Sequence, residues 1–184
     1  MNKAVFLDRD GVINHITKEH DYIKSWGEFR FYKNALAGLR LLARSEFLSV
    51  VLTNQRGISR GLMSENDLYN IHENIQKILG NDRIRAFYHC PHGYGDNCDC
   101  RKPKPGMFLR AAQDLHIDLT NSFMIDDAQE GIEAGAIAGC RTILVLTGRG
   151  KKQVQFVENW IHRPDYILRD LDRAIRFIHS QKTI

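Results

Sequence analysis

The chain has 184 residues, 43% of them hydrophobic, and a formal net charge of +4; this suits one domain with a real core, expected over residues 1–184, and argues against two independent ones. Its longest apolar stretches, such as Ala4 to Leu7 and Thr142 to Leu146, are strand-sized and far below the ~20 residues of a membrane span. The charge suits an anionic substrate, but Lys and Arg form no long block, so neither a nucleic-acid nor a membrane partner is expected; Met1-Asn2-Lys3 runs straight into the first apolar run without room for a signal peptide, so a cytoplasmic protein is expected, and a monomer is expected as well.

Apolar runs then alternate with segments of helical period. A strand is predicted over Lys3 to Asp8, a helix over Asn34 to Arg44, a strand over Leu48 to Thr53 and a helix over Ser64 to Leu79, with Ser64-Glu65-Asn66-Asp67 as its start. A strand follows at Ile84 to Tyr88, then a Cys-containing loop and a helix over Pro105 to Leu115. Ser122 to Asp126 and Arg141 to Leu146 read as strands around a helix over Ala128 to Ala138; the tail reads as a short helix, a brief strand Tyr166 to Leu168 and a last helix Asp170 to Ile178. This alternation predicts an α/β fold, a single Rossmann-like, doubly wound parallel sheet with helices on both faces.

The first strand ends in Asp8-Arg9-Asp10, two carboxylates one residue apart. Strand alternation turns such positions to the same side, so both would address one pocket beyond the strand's carboxyl end, where open α/β sheets bind ligands. There Asp8 can attack phosphorus while Asp10 moves protons. Alone, the pair also reads as a turn, with Asp10-Gly11 chosen for backbone reasons. Three further segments, each near the end of an apolar run, tip the balance towards chemistry: Leu52-Thr53-Asn54, Arg101-Lys102-Pro103 and Met124-Ile125-Asp126-Asp127.

Cys90-Pro91-His92 and Cys98-Asp99-Cys100 place three thiols and an imidazole within eleven residues of a polar, Gly-rich loop. Four soft ligands match tetrahedral Zn²⁺ with no open position, hence a structural zinc loop over residues 90–100 that delivers Arg101 and Lys102. A disulfide does not suit a reducing compartment. Cys140 reads as a small core residue, and His20 and His89 as ordinary polar residues.

The four-part pattern resembles the haloacid dehalogenase-like phosphatases over residues 4 to about 150. The 42 residues between Asp10 and Thr53 and the 48 between Thr53 and Lys102 leave no room for the cap domain that many members carry. The resemblance implies that Asp8 forms an aspartyl-phosphate and that Asp10 is the general acid and base. It also implies Mg²⁺ on the Asp8 and Asp126 side chains and the Asp10 backbone carbonyl, with Thr53, Asn54 and Lys102 holding the transferring oxygens.

Cys-Pro-His, Cys-Asp-Cys-Arg-Lys-Pro and the Asp-Arg-Asp-Gly start together are similar to the zinc-loop branch. Two of its groups are the D-glycero-D-manno-heptose 1,7-bisphosphate 7-phosphatases and the histidinol-phosphate phosphatases. Thr53-Asn54-Gln55-Arg56-Gly57-Ile58-Ser59-Arg60-Gly61 looks like the heptose group's Thr-Asn-Gln-x-Gly-Ile-x-Arg-Gly. This implies a phosphorylated sugar as substrate, met by Asn54, Gln55, Arg56, Arg101 and Asp127, with Arg60 as a further contact. Asp127 stands where the heptose group often has Lys, which leaves a supporting role open for it, as for Glu130. The alternatives are histidinol phosphate, a polynucleotide 3′-phosphate, or a zinc-stabilised binding module without activity.

Overall fold

The structure, a computed structural model, describes residues 1–16, 22–80 and 83–181. Six strands form one parallel sheet: β1 Lys3–Leu7, β2 Phe47–Asn54, β3 Ala86–Cys90, β4 Phe123–Asp126, β5 Arg141–Val145 and β6 Tyr166–Leu168. Their spatial order is β3-β2-β1-β4-β5-β6. The chain winds outward from β1 to β3 and then resumes at β4 on the other side of β1. The crevice at the carboxyl ends of β1 and β4 is therefore the topological switch point, where such sheets take ligands.

Six α-helices cover the two faces: α1 Ala35–Ala43, α2 Glu65–Leu79, α3 Gly106–Leu115, α4 Gln129–Ile137, α5 Gly150–Gln153 and α6 Leu171–Ser180. The alternation of β1 decides which side each residue serves. Val5 and Leu7 join Leu39 and Leu42 of α1, Leu68, Ile71 and Ile75 of α2 and Ile175 of α6, all buried in one cluster. Ala4 and Phe6 face the other way, into a cluster with Met107, Phe108 and Ala111 of α3 and Ala134 of α4. Full burial of a side chain of this kind contributes about 1.5–3 kcal/mol, so these two layers hold the strand ends that carry the site. No helix among the described residues is long and apolar enough to cross a membrane.

Element boundaries agree with the sequence pattern to within a residue or two. Ser64 caps α2 as expected: its hydroxyl accepts from Asp67 N at 3.2 Å and its own N–H donates to Asp67 Oδ2 at 2.8 Å, a reciprocal capping box. The third strand is shifted by two residues at both ends. Instead of Ile84 to Tyr88 it runs Ala86–Cys90, because the Gln76 side chain binds both backbone groups of Ile84, at 2.8 and 3.0 Å, and diverts them from the ladder. The strand consequently extends to Cys90, paired with Asn54, and sets the start of the Cys loop beside the end of β2.

Candidate active site

Parallel register brings the chemistry to one edge. Leu7 is level with Val51 and with Ile125, so Asp8, Thr53 and Asp126 emerge together. An open cleft of about 670 Å³ lies over them, lined also by Asp10, Asn54, Arg56, Arg60, Arg101, Lys102, Glu130 and Arg149. That volume suits a small-molecule ligand.

Lys102 is the centre of the charge arrangement. The residue is 5% exposed, and its ammonium donates to Asp8 Oδ1 and to Asp126 Oδ2, both at 2.7 Å. Burial would strip its proton, but the charges of Asp126 and Asp8 outweigh that and hold it firmly as an ammonium. Asp8 is pushed up to about 7 by burial and by the neighbouring charges of Asp126 and Asp10, against the pull of Lys102. A carboxylate so placed has negative charge in excess and favours a cation or a proton.

Asp10 is held differently. The expected strand alternation does not reach it, since β1 ends at Leu7. Arg9, fully buried, donates to both its oxygens at 3.0 and 2.8 Å, and Asn14 and Gln55 add bonds of 2.8 and 2.9 Å. Burial acts to raise its pKa, but the Arg9 charge and these donors hold it below the usual carboxylate value. The Asp10 carboxylate and Asp8 thus share one cleft with opposite proton preferences. Sequence reasoning passed over Arg9. The only sign of it was its place between the two acids.

Gln55 and Asp127, expected at the substrate, lie behind the residues that line the cleft. Gln55 is 1% exposed; its amide nitrogen donates to Thr53 Oγ1 at 2.8 Å as well as to Asp10, so it holds two residues of the cleft. Asp127 is fully buried, with Oδ2 accepting from Arg149 N at 2.7 Å. Two glycines with positive φ, Gly11 and Gly148, close over it; a Cβ at either would lie 2.1 or 2.0 Å from Asp127 Oδ2. Burial and the Asp126 charge push its pKa well up.

Asn54 lines the cleft but has most of its amide committed to the Lys102 backbone, at 3.1 and 3.2 Å. Glu130 and Arg149 face each other across 3.7 Å at the rim; Arg149, in the turn after β5, had no distinguishing sequence signal.

Two groups of residues suit metal ions. Carboxylate oxygens of Asp8, Asp126 and Asp127 lie within 4.8 Å of one another, and Asp127 Oδ1 is buried without a hydrogen-bond partner. This all-oxygen set fits a hard divalent cation. Asp127, expected at the substrate, lies beside Asp8 and Asp126 in this set, while the Asp10 side chain is turned to Arg9. The second group is Cys90, His92, Cys98 and Cys100. Its spacings are 3.6 Å from Cys90 Sγ to Cys98 Sγ, 3.6 Å from Cys90 Sγ to His92 Nδ1 and 3.2 Å from His92 Nδ1 to Cys100 Sγ. Tetrahedral ligation with bonds of about 2.0–2.3 Å requires edges of about 3.5–3.8 Å, so the cluster fits a metal ion with little adjustment. Cys140 sits apart, buried in the α3 side of the core. His89 pairs with Glu65 at 2.7 Å, and His20 lies outside the described residues.

Comparison with known proteins agrees with this geometry. Residues 99–174 match the family model described as HAD-hydrolase-like. The chain is 40% identical to a D-glycero-beta-D-manno-heptose-1,7-bisphosphate 7-phosphatase of Pasteurella multocida, over 85% of this chain and 91% of that one. It is 37% identical to the enzyme of the same name from Escherichia coli O6:H1, over 94% of both chains. The crystal structure of D,D-heptose 1,7-bisphosphate phosphatase from Bordetella bronchiseptica, complexed with magnesium and phosphate, superposes with a TM-score of 0.89 at 31% identity, covering 97% of this chain and 99% of that one. Similarity of this extent makes the chain a phosphatase: it belongs to the haloacid dehalogenase-like hydrolases, in the family of the D-glycero-beta-D-manno-heptose-1,7-bisphosphate 7-phosphatases.

Proposed function

We propose that the protein removes the 7-phosphate of D-glycero-β-D-manno-heptose 1,7-bisphosphate through an aspartyl-phosphate on Asp8. The observation that carries this reading is the Lys102 ammonium set 2.7 Å from both Asp8 and Asp126 at the switch point of the sheet. It aligns the attacking carboxylate and offers positive charge where the phosphoryl oxygens must sit. The names of the relatives support the heptose and its β configuration.

In the first half of the cycle an Asp8 oxygen bonds to phosphorus and the bond to the sugar oxygen breaks, Asp10 giving its proton to the leaving alkoxide. In the second half a water attacks the aspartyl-phosphate, phosphate leaves, and Asp10 takes the water's proton. Arg9, Asn14 and Gln55 fix the direction of the Asp10 carboxyl group through both halves, and the proton it takes from the water is the one it gives to the next alkoxide. The Thr53 hydroxyl, oriented by Gln55, and the remaining N–H of Asn54 donate to phosphoryl oxygens.

Asp8 and Asp126, with the Asp10 backbone carbonyl and Asp127 beside them, would hold Mg²⁺, the ion present with phosphate in the Bordetella structure. Bound there, it supplies positive charge that offsets the repulsion between the carboxylates and the phosphate. Cys90, His92, Cys98 and Cys100 would hold a structural Zn²⁺. The substrate is a small phosphorylated sugar, handled by a monomer without nucleic acid.

The test is a steady-state panel of both heptose bisphosphate anomers, histidinol phosphate and a 3′-phosphorylated oligonucleotide, run with the wild type and Asp8→Asn. The β-heptose should give the highest kcat/KM, and Asp8→Asn should lose turnover while its melting temperature holds, since it removes charge from a cluster with excess carboxylate. Preference for histidinol phosphate overturns the substrate. Hydrolysis by Asp8→Asn at a tenth of the wild-type rate overturns the covalent route.

A further inference from the structure

Tyr94 lies in the loop between the second and third ligands of the Cys/His cluster and is 73% exposed, yet its ring is the shared contact of two cations. The Arg56 guanidinium carbon stands over it at 4.2 Å from the centroid and that of Arg101 at 4.4 Å. Two like charges brought to one rim repel each other, and free guanidinium groups would splay into solvent. The negative face of an aromatic ring offsets that cost, and all three residues line the catalytic cleft.

The surroundings fix this arrangement. Arg101 donates to His92 O at 3.2 Å, which leaves the rest of its fork free of the backbone, and Gly93 N donates to Asp96 Oδ2 at 2.7 Å, which closes the turn carrying Tyr94. The loop of Arg56 is joined to the Cys loop through Gln55 N to Cys90 O at 2.8 Å and Ser59 N to Pro91 O at 3.2 Å. Arg56 Nε is buried without a hydrogen-bond partner, so this cation retains donor capacity at the cleft wall.

We infer that Tyr94 is a specificity-determining positioning residue: it holds Arg56 and Arg101 as a prearranged pair of cations that grips the phosphate of the substrate that is not cleaved. This rests on the bisphosphate reading above. The prearrangement spares the substrate the cost of gathering the two side chains. It also assigns the Cys/His loop a part in recognition, because the turn bearing Tyr94 is held between cluster ligands. The ring acts through its face, so its hydroxyl is dispensable.

The experiment compares wild type, Tyr94→Ala and Tyr94→Phe on heptose 1,7-bisphosphate and on p-nitrophenyl phosphate, with zinc content measured in each preparation. Tyr94→Ala should raise KM for the bisphosphate about tenfold, the loss of two cation–ring contacts, with kcat within twofold. Its kinetics on the nitrophenyl ester should move less than twofold, and Tyr94→Phe should match the wild type throughout. Equal losses on both substrates, or a loss of zinc in Tyr94→Ala, overturn the inference and make Tyr94 a residue of loop folding; a Tyr94→Phe defect as large as that of Tyr94→Ala overturns it in favour of the hydroxyl. A wild type with a higher kcat/KM on another bisphosphorylated sugar, such as fructose 1,6-bisphosphate, than on the heptose bisphosphate overturns the heptose assignment alone, and the clamp is then read on fructose 1,6-bisphosphate paired with fructose 6-phosphate. The Tyr94→Ala ratio for that pair then supports the clamp if the bisphosphate preference falls about tenfold, and overturns it if the ratio is unchanged.

Discussion

Asn54 and Lys102, 48 positions apart in the chain, grip each other by their backbone and side chain: Asn54 Nδ2 donates to Lys102 O at 3.1 Å and Lys102 N donates to Asn54 Oδ1 at 3.2 Å. One amide side chain at the end of β2 thus fixes the main chain from which the Lys102 ammonium projects. Because Lys102 reaches two carboxylates at once, a small displacement of its backbone breaks both contacts.

Asn54→Ala should therefore reduce kcat as well as kcat/KM, by roughly ten- to a hundredfold, the scale of leaving paired buried groups unmet, about 1–3 kcal/mol. Asn54→Asp, which keeps the acceptor and loses the donor, should fall between. Steady-state kinetics on the bisphosphate decides. An effect confined to KM would make Asn54 a substrate contact and nothing more.

Gln55→Leu separates positioning from binding at the neighbouring residue. With Gln55 1% exposed and bonded to Asp10 and Thr53, the substitution should lower kcat about tenfold, the scale of two lost hydrogen bonds of about 0.7 kcal/mol each, and leave KM near its original value. Stability should change little, because Gln55 Oε1 is itself buried without a partner and leucine removes that cost. A raised KM at constant kcat would put Gln55 against the sugar after all.

Replacing Cys98 and Cys100 with Ser should release the metal from the loop, and with it several kcal/mol of folding free energy, since binding at a structural site is folding energy. Elemental analysis, melting temperature and kcat/KM should fall together in one preparation. Full stability and activity in a metal-free protein would exclude a structural role for the cluster.

His72 predicts an acid limit that lies outside the cleft. It is buried, stacked on Phe87 at 4.2 Å, and burial together with the Arg9 charge pulls its pKa down to about 3. The unfolded chain takes up this proton near pH 6.5 and the native state does not, so the stability present at neutral pH is lost as pH falls from about 6.5 towards 3. Between pH 7 and 5 the loss amounts to about 2 kcal/mol. His72→Phe keeps a ring on Phe87 and cannot titrate. Chemical denaturation at the two pH values should show a smaller drop for this variant, and an equal drop would assign the acid sensitivity to other groups.

The parts of this protein that were legible in the chain are those whose cause is local. Hydrophobic period marks strands that feed one sheet, Ser64 and Asp67 announce a helix start within four residues, and the acids at strand ends lie together because parallel strands in register bring their carboxyl ends to one edge. The Cys/His cluster is equally local, all four ligands falling within one loop. What the chain concealed depends on partners far away in sequence. Gln55 and Asp127 read as substrate residues beside a motif, and only the closed fold shows one facing Asp10 and Thr53 and the other sealed beneath Gly11 and Gly148. The direction of Asp10 passed out of reach once β1 ended at Leu7, since beyond a strand's last ladder bond no period governs a side chain. Arg9, Asn14 and Gln55 decide it instead. Likewise a lone tyrosine in a polar loop carries no signal until tertiary packing brings two arginines from separate loops onto its ring. Pattern determines which face a residue takes within an element, while contacts between elements determine what it meets there.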